Sequence, residues 1–410
     1  MQSKDNRQTR LQMVRFNKGA YITVEGKSDN DHFYIIREGR VQINKSTEVV
    51  QEESSNILGP GDFFGVISAM ASQRRIETAR SLTECTLIVV PREEYSRLIV
   101  QNTRIAMKII ESFSRRMRLL DTALTKIEGK ADTDSSPTGI FEIAGYYMKH
   151  NKPVLAGQAY SEFVRLCPND PNVERAKKEL AELAEQNITI PDVFVPRRDG
   201  FTHQFLHDTA IFLEHMKGQE LFIIQSGSVK ITKISNGNEI MLALLRPGDI
   251  FGEMALLEEK PRSASAIAFE DSVLLSVNKA NFERIVHTQS QIISRLTTLL
   301  AERIWVLYRQ LANTTILNKL GRLYDAIIVQ LERSHVDMNQ DVAHTLTFGP
   351  KELISWTGIS QTDGSHLIQE LLNDRTITIS DGKLHILSIE ELKKQAQYYR
   401  KIATRKAENR

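Results

Sequence analysis

The sequence predicts an α+β multidomain protein with two jelly-roll-like β-rolls, each followed by a long helix. Three observations carry the prediction. The stretch PGDFFG (Pro60–Gly65) recurs as PGDIFG (Pro247–Gly252), 187 residues later, and self-similarity at this level marks a repeated structural unit. Upstream of each copy lies a short apolar strand and a glycine, YIIREGRVQI (Tyr34–Ile43) and FIIQSGSVKI (Phe222–Ile231). Downstream, each copy continues into a second apolar strand, TLIVVP (Thr86–Pro91) and SVLLSV (Ser272–Val277), and then an amphipathic helix. Such β-branched runs, punctuated by Gly and Asp at intervals of about 8–12 residues, suit a compact antiparallel roll. Gly39 and Gly227 stand in strand–turn–strand contexts, where a positive φ is often required.

The chain has 410 residues, more than the roughly 250–300 that one core supports, so several domains are expected. Hydrophobic residues make up 41% and charged residues 25%, as in ordinary globular proteins. No apolar run approaches the ~20 residues that span a bilayer, and MQSKDNRQTR lacks the apolar core of a secretory signal. Cys85 and Cys167 are too few for a disulfide framework or a thiolate metal site. A cytoplasmic protein with no membrane partner is expected. The segment Lys393–Arg410 carries seven Lys/Arg against one Glu, and reads either as a basic tail for a polyanion or as a solvated, frayed terminus.

The predicted order is a roll over 10–127, a linker and helical insert over 128–190, and a second roll with its helix over 191–313. A C-terminal domain over 314–390 and the tail over 391–410 follow. EGKADTDSSPTG (Glu128–Gly139) is polar and reads as the linker. Phe141–Glu185 reads as two antiparallel helices broken near Asn151–Pro153. Ala144, Tyr147, Ala156, Tyr160, Phe163 and Pro168 fall at the spacing of one tetratricopeptide repeat. A lone copy rarely stands by itself, so a spacer packed on a neighbour is favoured over a peptide-binding groove.

The stretch Phe251–Ala266 (FGEMALLEEKPRSASA) carries the chemistry. Gly252 lets backbone approach a ligand closely, and Glu253 can accept from a ribose hydroxyl. Met254, Ala255 and the residues after them can begin a short helix whose N–H groups face an anion. Arg262 offers a planar fork for phosphate oxygens, and Ser263 a hydroxyl. This segment resembles the phosphate-binding cassette of the cyclic-nucleotide-binding family, which includes protein kinase A regulatory subunits and the bacterial catabolite activator protein. The resemblance implies a cyclic-nucleotide ligand, with cAMP favoured over cGMP, and no other cofactor. In the first copy Arg75 aligns with Arg262, but Val66 stands at the Glu253 position and Glu77 at that of Ala264. Losing an acceptor opposite a buried donor costs ~1–3 kcal/mol. The first roll is therefore expected to be structural, or to hold another anion through Arg74 and Arg75.

After the second roll, Ile293, Leu296, Leu300, Ile304, Leu307 and Leu311 form a heptad-like seam. In the catabolite activator family the matching helix dimerises and covers the base, which would put Tyr308 near it. A homodimer through helix 281–312 is favoured; the alternative is packing on this chain's own first roll or its helix (Ile105–Ile127). The resemblance continues through Leu317–Leu323 and a helix over Leu320–Leu331, and ends in a winged helix-turn-helix over Phe348–Leu387. There Pro350–Gly358 is the first helix and turn, and Ile359–Asn373 the recognition helix. Arg375–Leu387 alternates around Asp381-Gly382 as a hairpin wing should. The resemblance implies DNA as a partner, with Ser360, Gln361, Thr362 and His366 toward bases and Lys351 and Lys383 toward phosphates. Against it, the recognition helix lacks any Arg or Lys, Asp363 has the wrong sign, and Gly364 weakens the helix by about 1 kcal/mol.

Two functions compete, a cyclic-nucleotide-responsive transcription regulator and a nucleotide-sensing scaffold acting through protein contacts. No enzyme is expected, since no catalytic constellation or Walker loop appears. His203, His207 and His215 are the closest histidine group, and surface histidines are favoured over a metal site there.

Overall fold

Each roll is built from two four-stranded antiparallel sheets, and the strand order is the same in both. The computed structural model describes residues 11–45, 56–127, 137–193, 202–235, 238–254, 260–278, 281–282, 290–346, 348–359 and 361–408. In the first roll the strands are β1 (Gln12–Phe16), β2 (Tyr21–Thr23), β3 (His32–Glu38), β4 (Val41–Asn44), β5 (Ile57–Leu58), β6 (Phe63–Phe64), β7 (Thr78–Ser81) and β8 (Cys85–Pro91). They order as β1-β8-β3-β6 and β2-β7-β4-β5. The second roll comprises β9 (Thr202–Phe205), β10 (Ala210–Phe212), β11 (Glu220–Ser226), β12 (Val229–Ser235), β13 (Asn238–Leu245), β14 (Ile250–Phe251), β15 (Ser265–Ala268) and β16 (Ser272–Asn278). Its sheets, β9-β16-β11-β14 and β10-β15-β12-β13, repeat that order strand for strand. The turn glycines repeat as well. A Cβ on Gly39 (φ +93°) or on Gly227 (φ +79°) would sit 2.3 Å from the carbonyl oxygen of Glu84 or Asp271, so only glycine fits either turn.

The chain divides into two compact units, Met1–Phe113 with Ile285–Tyr308, and Ser114–Arg284 with Arg309–Arg410. The first unit holds the first roll with α1 (Val66–Ala71), α2 (Tyr95–Gln101) and the start of α3 (Thr103–Ile127). It also takes most of α7 (Ser290–Thr314), the helix that follows the second roll in sequence. The seam residues Ile293, Leu296, Leu300, Ile304 and Leu307 are all buried. Alongside them Thr297 bonds the Tyr95 hydroxyl at 2.9 Å and Ser294 accepts from Ser96 at 3.1 Å. The favoured second-chain partner for the seam is thus replaced by this chain's own first roll. The physical reason is proximity: a covalently attached roll is present at far higher effective concentration than another molecule.

In the second unit, α4 (Gly139–Lys149), α5 (Pro153–Leu166) and α6 (Val173–Glu185) share one core with the second roll, Ile143, Tyr147, Ala159 and Phe163 packing with Ile211, Leu213 and Phe222. Three helices stand where two were expected, because Pro168 and Pro171 break the second half of the insert. Gln158 stitches the contact: its amide accepts from Ala210 N–H at 2.7 Å and donates to the Ala210 carbonyl at 3.4 Å. Beyond α7 lie α8 (Lys319–Arg333), β17 (His344–Thr345), α9 (Pro350–Thr357), α10 (Gln361–Asn373), β18 (Ile377–Ser380), β19 (Lys383–Ile386) and α11 (Ile389–Glu408). The hairpin β18–β19 turns at Asp381-Gly382, both at positive φ, and β17 adds an unforeseen third strand.

The basic tail is likewise different from either expectation. It is the helix α11, which lies on α8 with Ile389, Leu392 and Ala396 buried. Tyr399 stacks on Tyr324 at 5.9 Å, and Arg400 pairs with the buried Asp325. Its apolar stripe, hidden among the charges, docks it. Among the described residues no helix is long and apolar enough to cross a membrane, and no three His, Cys, Asp or Glu side chains gather for a metal.

Candidate ligand site in the second roll

Arg262 is the centre of this site. Its backbone is tied to the loop after β10: Arg262 N–H donates to Met216 O at 2.8 Å and His215 N–H to Arg262 O at 3.0 Å. The residue is 5% exposed. Nη1 donates to the Gly252 carbonyl at 2.7 Å and Nη2 to the Glu220 carbonyl at 2.8 Å. The guanidinium lies 4.1 Å over the Phe212 ring, a favourable place for a partly desolvated cation. Burial pulls its pKa down to about 10, against the opposing pull of Glu220 and Glu253. That value is far above neutrality, so the group stays charged. A buried cation whose Nη atoms meet only carbonyl dipoles is a group to which an anion can be drawn.

Gly252 and Gly218 make the room. A Cβ on Gly252 (φ +82°) would meet Arg262 Nη1 at 2.7 Å, and one on Gly218 would meet Nη2 at 2.3 Å. Gly252 was legible from the repeat. Gly218 and Phe212 lie outside the cassette and carry no motif, so sequence reasoning missed them. Glu253 is 1% exposed and Met254 is buried, and Ser263 donates to the Met254 sulfur at 3.7 Å. Ala255 lies outside the described residues.

The first roll repeats the two carbonyl contacts of the arginine, Gly65 and His32 standing for Gly252 and Glu220, but differs around them. Val66 is buried. Glu77 accepts from Gly65 N–H at 2.9 Å, so a carboxylate of the chain holds the amide that the cassette would offer to a phosphate. Arg75 donates to the carbonyls of Gly65 (3.2 Å), His32 (3.0 Å) and Asp29, and Nε lies 3.4 Å from the Asp29 carboxylate. Glu77 was identified from its charge; Asp29, 46 residues upstream of Arg75, had no local signal.

Tyr308 does not join the second cassette. It belongs to the first unit, where Lys45 donates to its hydroxyl at 2.7 Å. It faces the first roll because α7 packs there through residue 308. In the C-terminal region Lys351 and His366 are exposed on α9 and α10, and Lys383 on β19. Ser360 and the side chains of Gln361 and Thr362 lie outside the described residues. Asp363 is paired with Lys319 at 2.7 Å. A Cβ on Gly364 would lie 2.7 Å from two carbons of Ile354. Gly364 is thus the point where α10 crosses α9, not a flaw in the helix.

The family model described as cyclic nucleotide-binding domain matches residues 13–102 and 202–289. Both rolls are cyclic nucleotide-binding domains. Among curated relatives, the cyclic AMP receptor protein of Thermus thermophilus is 29% identical over 177 residues, 43% of this chain and 79% of that one. The anaerobic regulatory protein of Bacillus subtilis is 24% identical over 179 residues, covering 43% and 75%. The cAMP-dependent protein kinase regulatory subunit of Yarrowia lipolytica is 22% identical over 276 residues, 67% of this chain and 54% of that one. A solved transcriptional regulator of the CRP/FNR family, also from Thermus thermophilus, is 21% identical at a TM-score of 0.36, covering 48% of this chain and 98% of that chain. The two cyclic nucleotide-binding domains thus share a strand order but differ in their cassettes. The second keeps Glu253 and Arg262, whereas the first adds the Asp29 carboxylate beside its arginine and seats Glu77 on the Gly65 amide.

Proposed function

We propose that the chain is a cyclic-nucleotide-responsive regulator whose second roll binds the ligand, cAMP favoured over cGMP, one molecule per chain. It is a sensor rather than an enzyme, and acts in the cytoplasm. The observation that carries the reading is the buried Arg262, placed against carbonyl oxygens beside Gly252 and Glu253. Phosphate oxygens take the guanidinium fork, Glu253 accepts from the ribose 2′-hydroxyl, and Ser263 lines the phosphate side.

The output is DNA binding through a winged helix-turn-helix formed by α9, α10 and the β17–β19–β18 sheet. Several contacts support a link between the end of α7 and this module. Gln310 donates to the Trp356 carbonyl at 2.7 Å, Asn313 to Asp325 at 2.9 Å, and α9 lies against β13 of the second roll. Ligand then favours one arrangement of these parts over another. A second reading, output through a protein partner, is favoured by the exposed face of α10, where Asp363, Ser365, His366, Gln369 and Glu370 include no Lys or Arg.

Calorimetric titration of the full chain with cAMP and with cGMP tests the ligand assignment. The expected result is one site per chain, lost in Arg262→Ala. Heat from neither nucleotide in the native chain would overturn it. DNA retention that falls steeply with salt supports the DNA output; retention flat with salt, or none, favours the protein partner.

A further inference from the structure

Arg118 belongs to α3, the helix that follows the first roll, yet its Nη1 donates at 3.2 Å to the carbonyl of Pro261 in the second roll. Trp305 belongs to α7, the helix that follows the second roll, and its Nε1 donates at 3.2 Å to the carbonyl of Arg74 in the first. Arg118 and Trp305 are 187 residues apart, as are Arg74 and Pro261, the same interval that separates PGDFFG from PGDIFG. These are one contact made twice. In each, a helix from one half grips the carbonyl directly before the cassette arginine of the other half.

We propose that Arg118 is a positioning residue for the nucleotide site of the second roll, so that the first half of the chain completes the site of the second. The inference rests on the cyclic-nucleotide reading of that site. The loop carrying Arg262 is tied on one side by its backbone bonds to His215 and Met216. Arg118 supplies a further anchor from α3, whose neighbouring Met117, Asp121 and Leu124 are buried. A charged donor to a carbonyl is a stronger tie than a neutral one. The Arg262 fork meets its two carbonyls at 2.7 and 2.8 Å, and hydrogen bonds of that length weaken steeply once distance and angle drift. Freeing Pro261 therefore loosens the atoms that meet the phosphate. Conversely, whatever moves α3 is felt at Arg262.

The test compares native chain, Arg118→Met and Arg118→Lys. Methionine keeps an aliphatic stem without a donor; lysine restores a cationic donor. In the absence of nucleotide, amide hydrogen exchange over residues 260–266 is expected to quicken in Arg118→Met and to return toward native in Arg118→Lys. Calorimetry is expected to give about tenfold weaker nucleotide binding in Arg118→Met with one site per chain retained, the loss of a charge-assisted hydrogen bond. Unchanged exchange in Arg118→Met overturns the proposal. Faster exchange with native affinity also overturns it, by reducing Arg118 to packing. If the native chain binds neither nucleotide, the functional reading falls, and the exchange result still decides whether Arg118 positions the loop.

Discussion

At the scale of single residues, the two cassettes differ at only a few positions. Arg75 and Arg262 occupy the same place and are both buried, but Arg75 has Asp29 at 3.4 Å while Arg262 has carbonyl oxygens alone at its Nη atoms. Glu77 then occupies the amide of Gly65. Replacing Glu77 by Ala leaves that buried N–H without its acceptor, and is expected to destabilise the protein by about 1–3 kcal/mol. Chemical denaturation measures this, and an unchanged midpoint would refute it. Gly364→Ala sets two effects against each other. Alanine favours a helix by about 1 kcal/mol over glycine, whereas a Cβ at 2.7 Å from Ile354 overpacks the crossing at a cost of about 1–3 kcal/mol. The crossing is expected to win, lowering the melting temperature, with partial recovery when Ile354→Val makes room. The sequence flagged Gly364 as unusual, but only the neighbouring helix explains why glycine is required.

Among elements, the legible ones were those with a local period. Strands of both rolls, the α7 seam and the Asp381-Gly382 hairpin follow alternation, heptads and turn chemistry, all readable in short windows. The insert and the tail depended on partners far away in sequence. Pro168 and Pro171 were visible, yet the third helix they create is held on α5 through Val173 and Ala176, which join a core that also takes in the second roll. The tail was read from its charge, while Ile389, Leu392 and Ala396 settle its place on α8. Limited proteolysis is expected to spare residues 389–400 despite their basic character, and Tyr399→Ala is expected to expose them to trypsin. Early cleavage in the native chain would show α11 undocked.

For the molecule as a whole, the repeat predicted two rolls but not which helix serves which roll. Both helices are amphipathic, and either partner satisfies the same periodicity, so the place of α7 on the first roll and the reach of α3 to Pro261 became visible only through contacts such as those of Thr297, Trp305 and Arg118. A consequence is measurable in solution. Saturating nucleotide at about 100 times its dissociation constant should stabilise the second unit by about 2.7 kcal/mol. Calorimetric melting should show an upward shift in native protein and none in Arg262→Ala. A shift that survives in Arg262→Ala would place the ligand elsewhere.

The reciprocal grip of the two halves also bears on how such a protein can change over time. Two identical subunits clasping each other must accept every substitution twice, so neither can lose its site without the other losing it too. Joining the halves in one polypeptide removes that constraint. Val66, Glu77 and Asp29 could settle into one half while Glu253 and Arg262 stayed in the other, because α7 still packs on the first roll and the end of α3 still reaches the second. On the proposed reading, a first roll kept in this way would be the permanent partner of one receptor, and the molecule would have one input where a symmetric pair has two.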